Sequence, residues 1–213
     1  MSQIDPASWT ARWRELGAKG DPAPWHRRLV AAYGEPHRHY HNLQHLEECL
    51  AELAAADVAA ESRATIGMAL WFHDAVYDPR SATNEEDSAR LADECLGGAG
   101  VAAARVGEIS RLILATKTHR ADGSADAALL LDIDLAILGQ PEKRFWEYEA
   151  AIRREYAWVP AVTFAEKRAE ILRGFLLRPA LYQTAAFRDR YETTARANLK
   201  AAIERLIQGG RQG

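Results

Sequence analysis

The 213-residue sequence contains few cysteines and no long hydrophobic run. Its two cysteines, Cys49 and Cys95, do not form a CxxC motif, which gives no indication of a redox or cysteine-based metal site. No stretch approaches the ~18 apolar residues of a membrane-spanning helix, and the first residues lack the basic-then-apolar pattern of a secretory signal. These absences favour a cytoplasmic protein with two thiols packed in a reduced interior.

The sequence also lacks a strong excess of either charge. Lys and Arg number 27, and Asp and Glu number 30, which gives a formal net charge of −3. Because an overall basic surface is the usual signature of nucleic-acid or membrane binding, neither partner is expected. Hydrophobic residues make up 48% of the chain, a composition typical of a globular protein, and the length suits one domain with a substantial core.

Alternating β-type patterns are scarce, whereas helical spacing recurs along the chain. Apolar residues at intervals of three, four and seven predict helices in four segments: 46–53, 66–73, 109–116 and 164–175. Thr83, followed three residues later by Glu86, predicts a capping box at the start of another helix. An alanine-rich helix closes the chain. We therefore predict an all-α protein of about eight or nine helices, at ~11–12 residues each.

Several polar residues interrupt these apolar patterns. His45 belongs to the predicted helix of the 46–53 stripe and lies beside its apolar face. His73 ends the apolar stripe at 66–70, and Asp74 follows directly. Asp132 and Asp134 fall in an otherwise apolar run that indicates a buried helix. A buried carboxylate needs a basic partner, a proton or a metal ion. Imidazoles and carboxylates from separate helices together suit a borderline-hard metal, which favours an ion here.

Helix geometry separates the two aspartates of this run. Residues that are two positions apart on a helix are rotated by ~200° about its axis, so Asp132 and Asp134 point in nearly opposite directions. One of them is expected to ligate the ion, and the other to support the fold or a neighbouring histidine.

The order of His45, then adjacent His73 and Asp74, then an aspartate near 134 resembles the HD superfamily of metal-dependent phosphohydrolases. More narrowly, the chain resembles one small uncharacterised HD subfamily in the segments YHNLQHLEECL, WFHDAVYDP, NEEDSA, TKTH, LDIDLAILG, IRREYAWV and RAEILRGFLLRPALY. The resemblance implies a single HD-type helical bundle over residues 1–213, with a motif-bearing core at about 25–185 and a C-terminal helix to about 207.

The resemblance also implies a set of metal ligands. His45, His73 and Asp74 match the first three ligands of the family. Alignment of the DID-LA segment with the family pattern favours Asp134 over Asp132 as the fourth. Two His and two Asp suit Mn, Fe, Co, Ni or Zn better than Mg.

Further residues are candidates for catalysis and substrate binding. Asp74 is expected to orient the attacking water as well as to ligate, and Glu85 is a candidate general base whose helix-start position offers a structural alternative. His119 resembles the extra histidine that contacts substrate phosphate or a second ion in many HD enzymes. Lys117 is a candidate phosphate-binding group, or else a cation that stabilises a helix C-terminus. His41 is a candidate substrate-binding residue.

The implied activity is hydrolysis of a phosphate ester of a small molecule, with nucleotides as one class, by a metal-activated water. One alternative is a non-catalytic HD module that binds metal and a phosphorylated ligand to regulate a partner. Another is a structural cluster in which the four ligand residues satisfy one another without metal. The expected partner is a small phosphorylated substrate rather than a nucleic-acid polymer or a membrane, and the C-terminal helix is a candidate homodimer surface.

Overall fold

The computed structural model of the chain describes residues 2–121 and 123–210. Over these residues the protein is all-α, as predicted, with ten α-helices, one 3₁₀-helix and no strand. The α-helices are α1 (Pro6–Glu15), α2 (Ala23–Tyr33), α3 (Leu43–Ala55), α4 (Ala60–Phe72), α5 (Asn84–Gly98), α6 (Ala103–Ala115), α7 (Ala125–Asp134), α8 (Glu142–Glu155), α9 (Ala161–Leu176) and α10 (Ala185–Gly210). The number of helices is one more than the sequence patterns suggested.

The chain forms two compact units, Met1–Ile133 and Asp134–Gly213. The first contains α1 to α6 and nearly all of α7, and the second contains the 3₁₀-helix and α8 to α10. The boundary falls at the last residue of α7. A single domain over 1–213 therefore stays a prediction.

Helix α4 is the centre of the first unit. Its residues from 64 to 72 are buried on every side, as expected of a helix surrounded by protein, and it packs against α1, α3, α5 and α6. Its neighbours therefore hold the C-terminal end of α4, which leads into His73 and Asp74, in a defined position. Although α4 is apolar, neither it nor another helix within 2–121 and 123–210 is long and apolar enough to cross a membrane.

The start of α5 differs from the predicted capping box. Thr83 is the N-cap residue, but its hydroxyl donates to the Asp87 carboxylate (3.0 Å) instead of accepting a backbone N–H. Asn84 fixes the preceding loop, since its Oδ1 accepts from the Asp78 N–H (3.0 Å) and its Nδ2 donates to the Asp78 carbonyl (2.9 Å). The sequence pattern located the start of the helix correctly. The predicted reciprocal hydrogen bonds between Thr83 and Glu86 were wrong, because the Thr83 hydroxyl bonds to Asp87 and the Glu86 carboxylate pairs with Lys117.

The second unit begins with a tightly held turn. The 3₁₀-helix Leu135–Gly139 follows Asp134 directly. Tyr182 donates from its hydroxyl to the first carbonyl of this helix (3.1 Å), and Asn198 Nδ2 donates to the fourth (2.9 Å). At the last position, a glycine, an added Cβ would lie 2.6 Å from the Tyr191 Cβ, a distance that no side chain tolerates. The backbone that follows Asp134 is therefore closely constrained.

Candidate metal centre

Three side chains of the first unit meet at the C-terminal end of α4. His45 Nε2 lies 3.1 Å from His73 Nε2. The Oδ2 atom of Asp74 lies 3.0 Å from His73 Nε2 and 3.5 Å from His45 Nε2. Both imidazoles are buried, and the three ligand atoms are close enough together to hold one metal ion. Three of the four predicted metal ligands are thus brought together.

Helix α3 places His45 in its first turn. Asn42 is the N-cap residue, and its Oδ1 accepts hydrogen bonds from the backbone N–H groups of Gln44 (2.9 Å) and His45 (3.4 Å). Leu46 and Leu50 are fully buried, which holds this helix against the core. The cap fixes where α3 starts, and the apolar stripe fixes its rotation, so that His45 faces the interior.

His73 is held in a defined orientation just beyond α4. Its backbone N–H donates to the Ala69 carbonyl (2.8 Å), and its Nδ1 lies 2.8 Å from the Leu70 carbonyl oxygen. Because a carbonyl only accepts, Nδ1 carries a proton, which leaves Nε2 with its lone pair whenever the ring is neutral. Metal-binding histidines are commonly supported in this way. His73 therefore presents Nε2 as a Lewis base.

The Asp74 carboxylate gives the observation that best fits an ion. Its Oδ2 atom is closed off from solvent and has no hydrogen-bond partner in the part of the chain that the structure describes, whereas buried carboxylate oxygens are normally hydrogen-bonded. The groups that face it at 3.0 and 3.5 Å are imidazole Nε2 atoms. Without a metal, only protons on the imidazoles can balance this carboxylate, and a divalent ion can replace those protons, so the donor set fits a divalent ion.

Asp74 is ionised in this environment. Burial raises the pKa of the carboxyl, but positive charge on the neighbouring imidazoles of His73, His41 and His45 outweighs burial and holds that pKa well below its usual range. A divalent ion between the same groups would act on the carboxyl in the same direction. The C-terminal end of α4 adds partial negative charge from its carbonyl groups. The centre therefore offers negative charge and lone pairs to a cation.

Comparison of the chain with protein-family models, with curated proteins and with solved structures returned no match. The HD resemblance is therefore carried by the motifs alone. The function proposed below rests on those motifs and on the geometry of the metal centre.

His41 lies beside the three clustered side chains. Its ring stacks on Tyr77 with the centroids 4.2 Å apart, and it makes an edge contact with His45 at 6.1 Å. It also helps to lower the pKa of Asp74. His41 is thus next to the centre, and its binding of substrate stays a prediction.

The predicted phosphate-binding lysine is engaged elsewhere. The Lys117 ammonium pairs with the Glu86 carboxylate and donates to the Ala82 carbonyl (2.8 Å), both at the start of α5. The hydrogen bond from Lys117 lowers the pKa of Glu86. The predicted general base, Glu85, is the adjacent residue in the first turn of α5. Lys117 therefore contributes an ion pair between the end of α6 and the start of α5.

His119 adopts the left-handed backbone conformation. Its φ is +49°, and it is the one non-glycine residue with positive φ within 2–121 and 123–210. Its N–H donates to the Ala115 carbonyl (3.0 Å), which continues the chain from the end of α6. Such positions usually hold glycine, and a larger residue costs roughly 1–3 kcal/mol there. A histidine at this position favours a functional use of its imidazole.

The two aspartates of α7 differ in burial. Asp132 is fully buried, whereas Asp134, the last residue of the helix, is half-buried. A rotation of ~200° between them accounts for this difference. In the second unit, burial raises the pKa of Tyr148, and the charge of Asp134 contributes to that rise. The choice of Asp134 as fourth ligand stays a prediction.

Sequence reasoning missed Arg38, whose side chain is only 1% exposed. It donates to four oxygens around the centre: Glu35 Oε2 (2.9 Å) and the carbonyl oxygens of His41 (3.3 Å), Asp74 (2.5 Å) and Ala75 (3.1 Å). Arg38 lies in the loop between α2 and α3, where no helical spacing marks a buried residue. Its basic side chain is also typical of an exposed loop, so the sequence carried no signal for this role.

Proposed function

We propose that this chain is a metal-dependent phosphohydrolase of the HD type, which cleaves a phosphate ester of a small molecule, with nucleotides as one substrate class. The observation that carries the proposal is the buried cluster of His45, His73 and Asp74. In it, an ionised carboxylate oxygen without a hydrogen bond faces two imidazole nitrogens. The HD-type order of these residues along the chain supports the same proposal.

The donor set favours particular metals. Imidazole nitrogen and carboxylate oxygen together suit Mn, Fe, Co, Ni or Zn better than Mg, which prefers an all-oxygen shell. A divalent ion at such a centre supplies Lewis-acid chemistry, which makes water a nucleophile at neutral pH and polarises a phosphoryl oxygen.

Each side chain of the cluster has a separate role in holding the ion or orienting the water. His45 and His73 would hold the ion through Nε2, and Asp74 through Oδ2, with Asp134 assigned as fourth ligand by the resemblance. The Leu70 carbonyl keeps His73 in the ligating tautomer. Asp74, ionised at neutral pH, also orients the water for attack.

We assign the binding of the substrate phosphate to His41 and His119 in preference to Lys117. The Lys117 ammonium already pairs with Glu86, so phosphate binding there would first break an ion pair. His41 lies against His45, and His119 occupies a conformation that a histidine adopts at an energetic cost. Glu85 stays the candidate general base.

Release of inorganic phosphate from a panel of nucleotides and sugar phosphates tests the proposal. Metal-stripped protein is assayed after addition of Mn²⁺, Co²⁺ or Zn²⁺. The native protein should release phosphate, and the double variant His73→Ala/Asp74→Ala should not. Asp57→Asn, which removes an exposed carboxylate outside the cluster, is the matched control and should keep the activity.

Two other results would overturn the proposal in different ways. One bound ion per chain without phosphate release across the panel would argue against hydrolysis and favour the regulatory HD module. If elemental analysis found no bound metal at any concentration tested, the three side chains would be a structural cluster instead.

A further inference from the structure

We infer that Arg38 is a positioning residue of the metal centre, whose guanidinium fixes the backbone on both sides of the ligand cluster. The inference rests on the proposed function in one respect, namely that His45, His73 and Asp74 bind a divalent ion. Arg38 itself contacts backbone oxygens, so it acts through the residues that it holds.

Arg38 binds the backbone that carries the Asp74 ligand. Its Nη1 donates to the Asp74 carbonyl (2.5 Å), and its Nη2 donates to the Ala75 carbonyl (3.1 Å). These carbonyls follow the C-terminal end of α4, where backbone oxygens lack partners within the helix and a cation is favoured. The Asp74 side chain therefore extends from a backbone that two charge-assisted hydrogen bonds hold in place.

The same guanidinium fixes the loop that carries His41. Arg38 Nη1 also donates to the His41 carbonyl (3.3 Å), and Arg38 Nε donates to the Glu35 carboxylate (2.9 Å). The guanidinium carbon lies 5.5 Å from the ring centroid of Tyr77, which stacks on the His41 ring. Arg38 thus contacts the backbone of His41 directly and its imidazole through Tyr77.

Burial and geometry explain why this residue is an arginine. A buried guanidinium is costly unless its donors are matched, and the Glu35 side chain that pairs with it is 44% exposed. Carbonyl oxygens therefore supply much of the compensation. Lysine carries its three donors on one nitrogen and cannot reproduce the planar fork that reaches Asp74, Ala75 and Glu35 together.

Arg63 offers a matched comparison in the same unit. It also donates to four backbone carbonyls, at 2.7–3.3 Å, and it closes the loop between α3 and α4. This loop follows the C-terminal end of α3 and precedes the N-terminal end of α4, so it lies at the far end of each helix from His45 and His73. Loss of Arg63 should therefore remove similar hydrogen bonds without touching the metal centre.

The test compares Arg38→Met with Arg63→Met in the full chain. Three quantities are measured: the Co²⁺ dissociation constant by competition with a chelating dye, the visible spectrum of the Co²⁺-loaded protein, and the melting temperature without metal. Both variants should melt at a lower temperature. We expect Arg38→Met alone to bind Co²⁺ about 10–100-fold more weakly and to show altered absorption bands. Arg38→Lys, which keeps the charge but not the fork, should recover little of the affinity.

The possible results are distinguishable. Equal Co²⁺ affinity in Arg38→Met and the native protein, or equal losses in Arg38→Met and Arg63→Met, would overturn the positioning role while leaving the proposed function intact. If Arg38→Met fails to fold, the same three measurements on Arg38→Lys decide. Absence of Co²⁺ binding by the native protein would overturn the metal centre and the role of Arg38 together, before any variant is compared.

Discussion

Each compact unit holds a carboxylate among buried side chains, Asp74 in the first and Glu149 in the second, and the two carboxylates face different groups. In the second unit, Arg168 of α9 donates to the Tyr148 hydroxyl (2.6 Å) and to the Glu149 carboxylate (2.5 Å) of α8. Both charged side chains are 10% exposed. Burial lowers the pKa of Arg168, but Tyr148 and Glu149 outweigh it, and the pKa lies above its usual range. This cluster is complete without a ligand.

The first unit gathers bases around a carboxylate instead. The Asp74 oxygen faces two imidazole nitrogens and has no hydrogen bond among the described residues. Even Arg38 donates to the Asp74 carbonyl rather than to its carboxylate. Arg168 and Glu149 thus form a buried ion pair that joins two helices, whereas His45, His73 and Asp74 form a set of candidate metal ligands. A metal ion fits where imidazoles, which can exchange a proton for a metal, face the buried carboxylate in place of a guanidinium.

Removal of the Asp74 carboxylate should have the largest effect on the comparison between the two units. Asp74→Ala should abolish metal binding, because it deletes an anionic ligand from the cluster. The helix content should be largely unchanged, since Asp74 lies beyond the end of α4. Metal content by elemental analysis and helix content by circular dichroism check both points, and full retention of metal would contradict the centre described above.

The corresponding change in the second unit should affect stability and leave the metal in place. Arg168→Met leaves the Glu149 carboxylate buried without its cation, which should lower the free energy of unfolding by about 3–5 kcal/mol. The double variant Arg168→Met/Glu149→Leu should regain much of that loss, since both charges are then gone. Urea unfolding measures the two variants. A double variant no more stable than the single one would show that Arg168 and Glu149 do not simply compensate each other's charge.

Variants of the two aspartates of α7 test which of them is the fourth metal ligand. Asp134→Asn should weaken metal binding more than Asp132→Asn, by about tenfold or 1.4 kcal/mol, because asparagine keeps an oxygen but loses the charge. Asp132 is fully buried, so Asp132→Asn should act mainly on stability. Dissociation constants and melting temperatures of the pair check this order. A larger metal loss at Asp132 would transfer the ligand role to that residue.

Helical spacing predicted those parts of the fold whose structure depends on local burial. The apolar stripe from Ile66 to Leu70 predicted a buried α4, and Leu46 and Leu50 predicted the buried face of α3. Because His45 and His73 lie on or beside those stripes, their burial was predictable too. The assignment as ligands came from the resemblance to HD proteins, since spacing alone does not say which buried groups converge.

Interactions between residues distant in sequence could not be predicted. The partners of Arg38 include Asp74 and Ala75, 36 and 37 positions away, and nothing in the local pattern selects them. Lys117 was a candidate either for phosphate binding or for stabilising a helix C-terminus, and its observed partner is Glu86, 31 positions away. A charged side chain in a loop or at a helix end can take many partners, and tertiary packing decides among them.

The smallest expected effect concerns the backbone conformation of His119, which the first unit maintains at some cost. Glycine adopts positive φ without strain, so His119→Gly should leave the free energy of unfolding within about 1 kcal/mol of the native value, whereas the β-branched His119→Val should lower it by about 1–3 kcal/mol. Both variants should release phosphate more slowly, because both lose the imidazole. Urea unfolding and the phosphate assay measure the two effects separately. Full activity in His119→Gly would remove His119 from substrate binding. A large loss of stability in the same variant would show that the imidazole is held by its contacts in the fold, as the guanidinium of Arg168 is in the second unit.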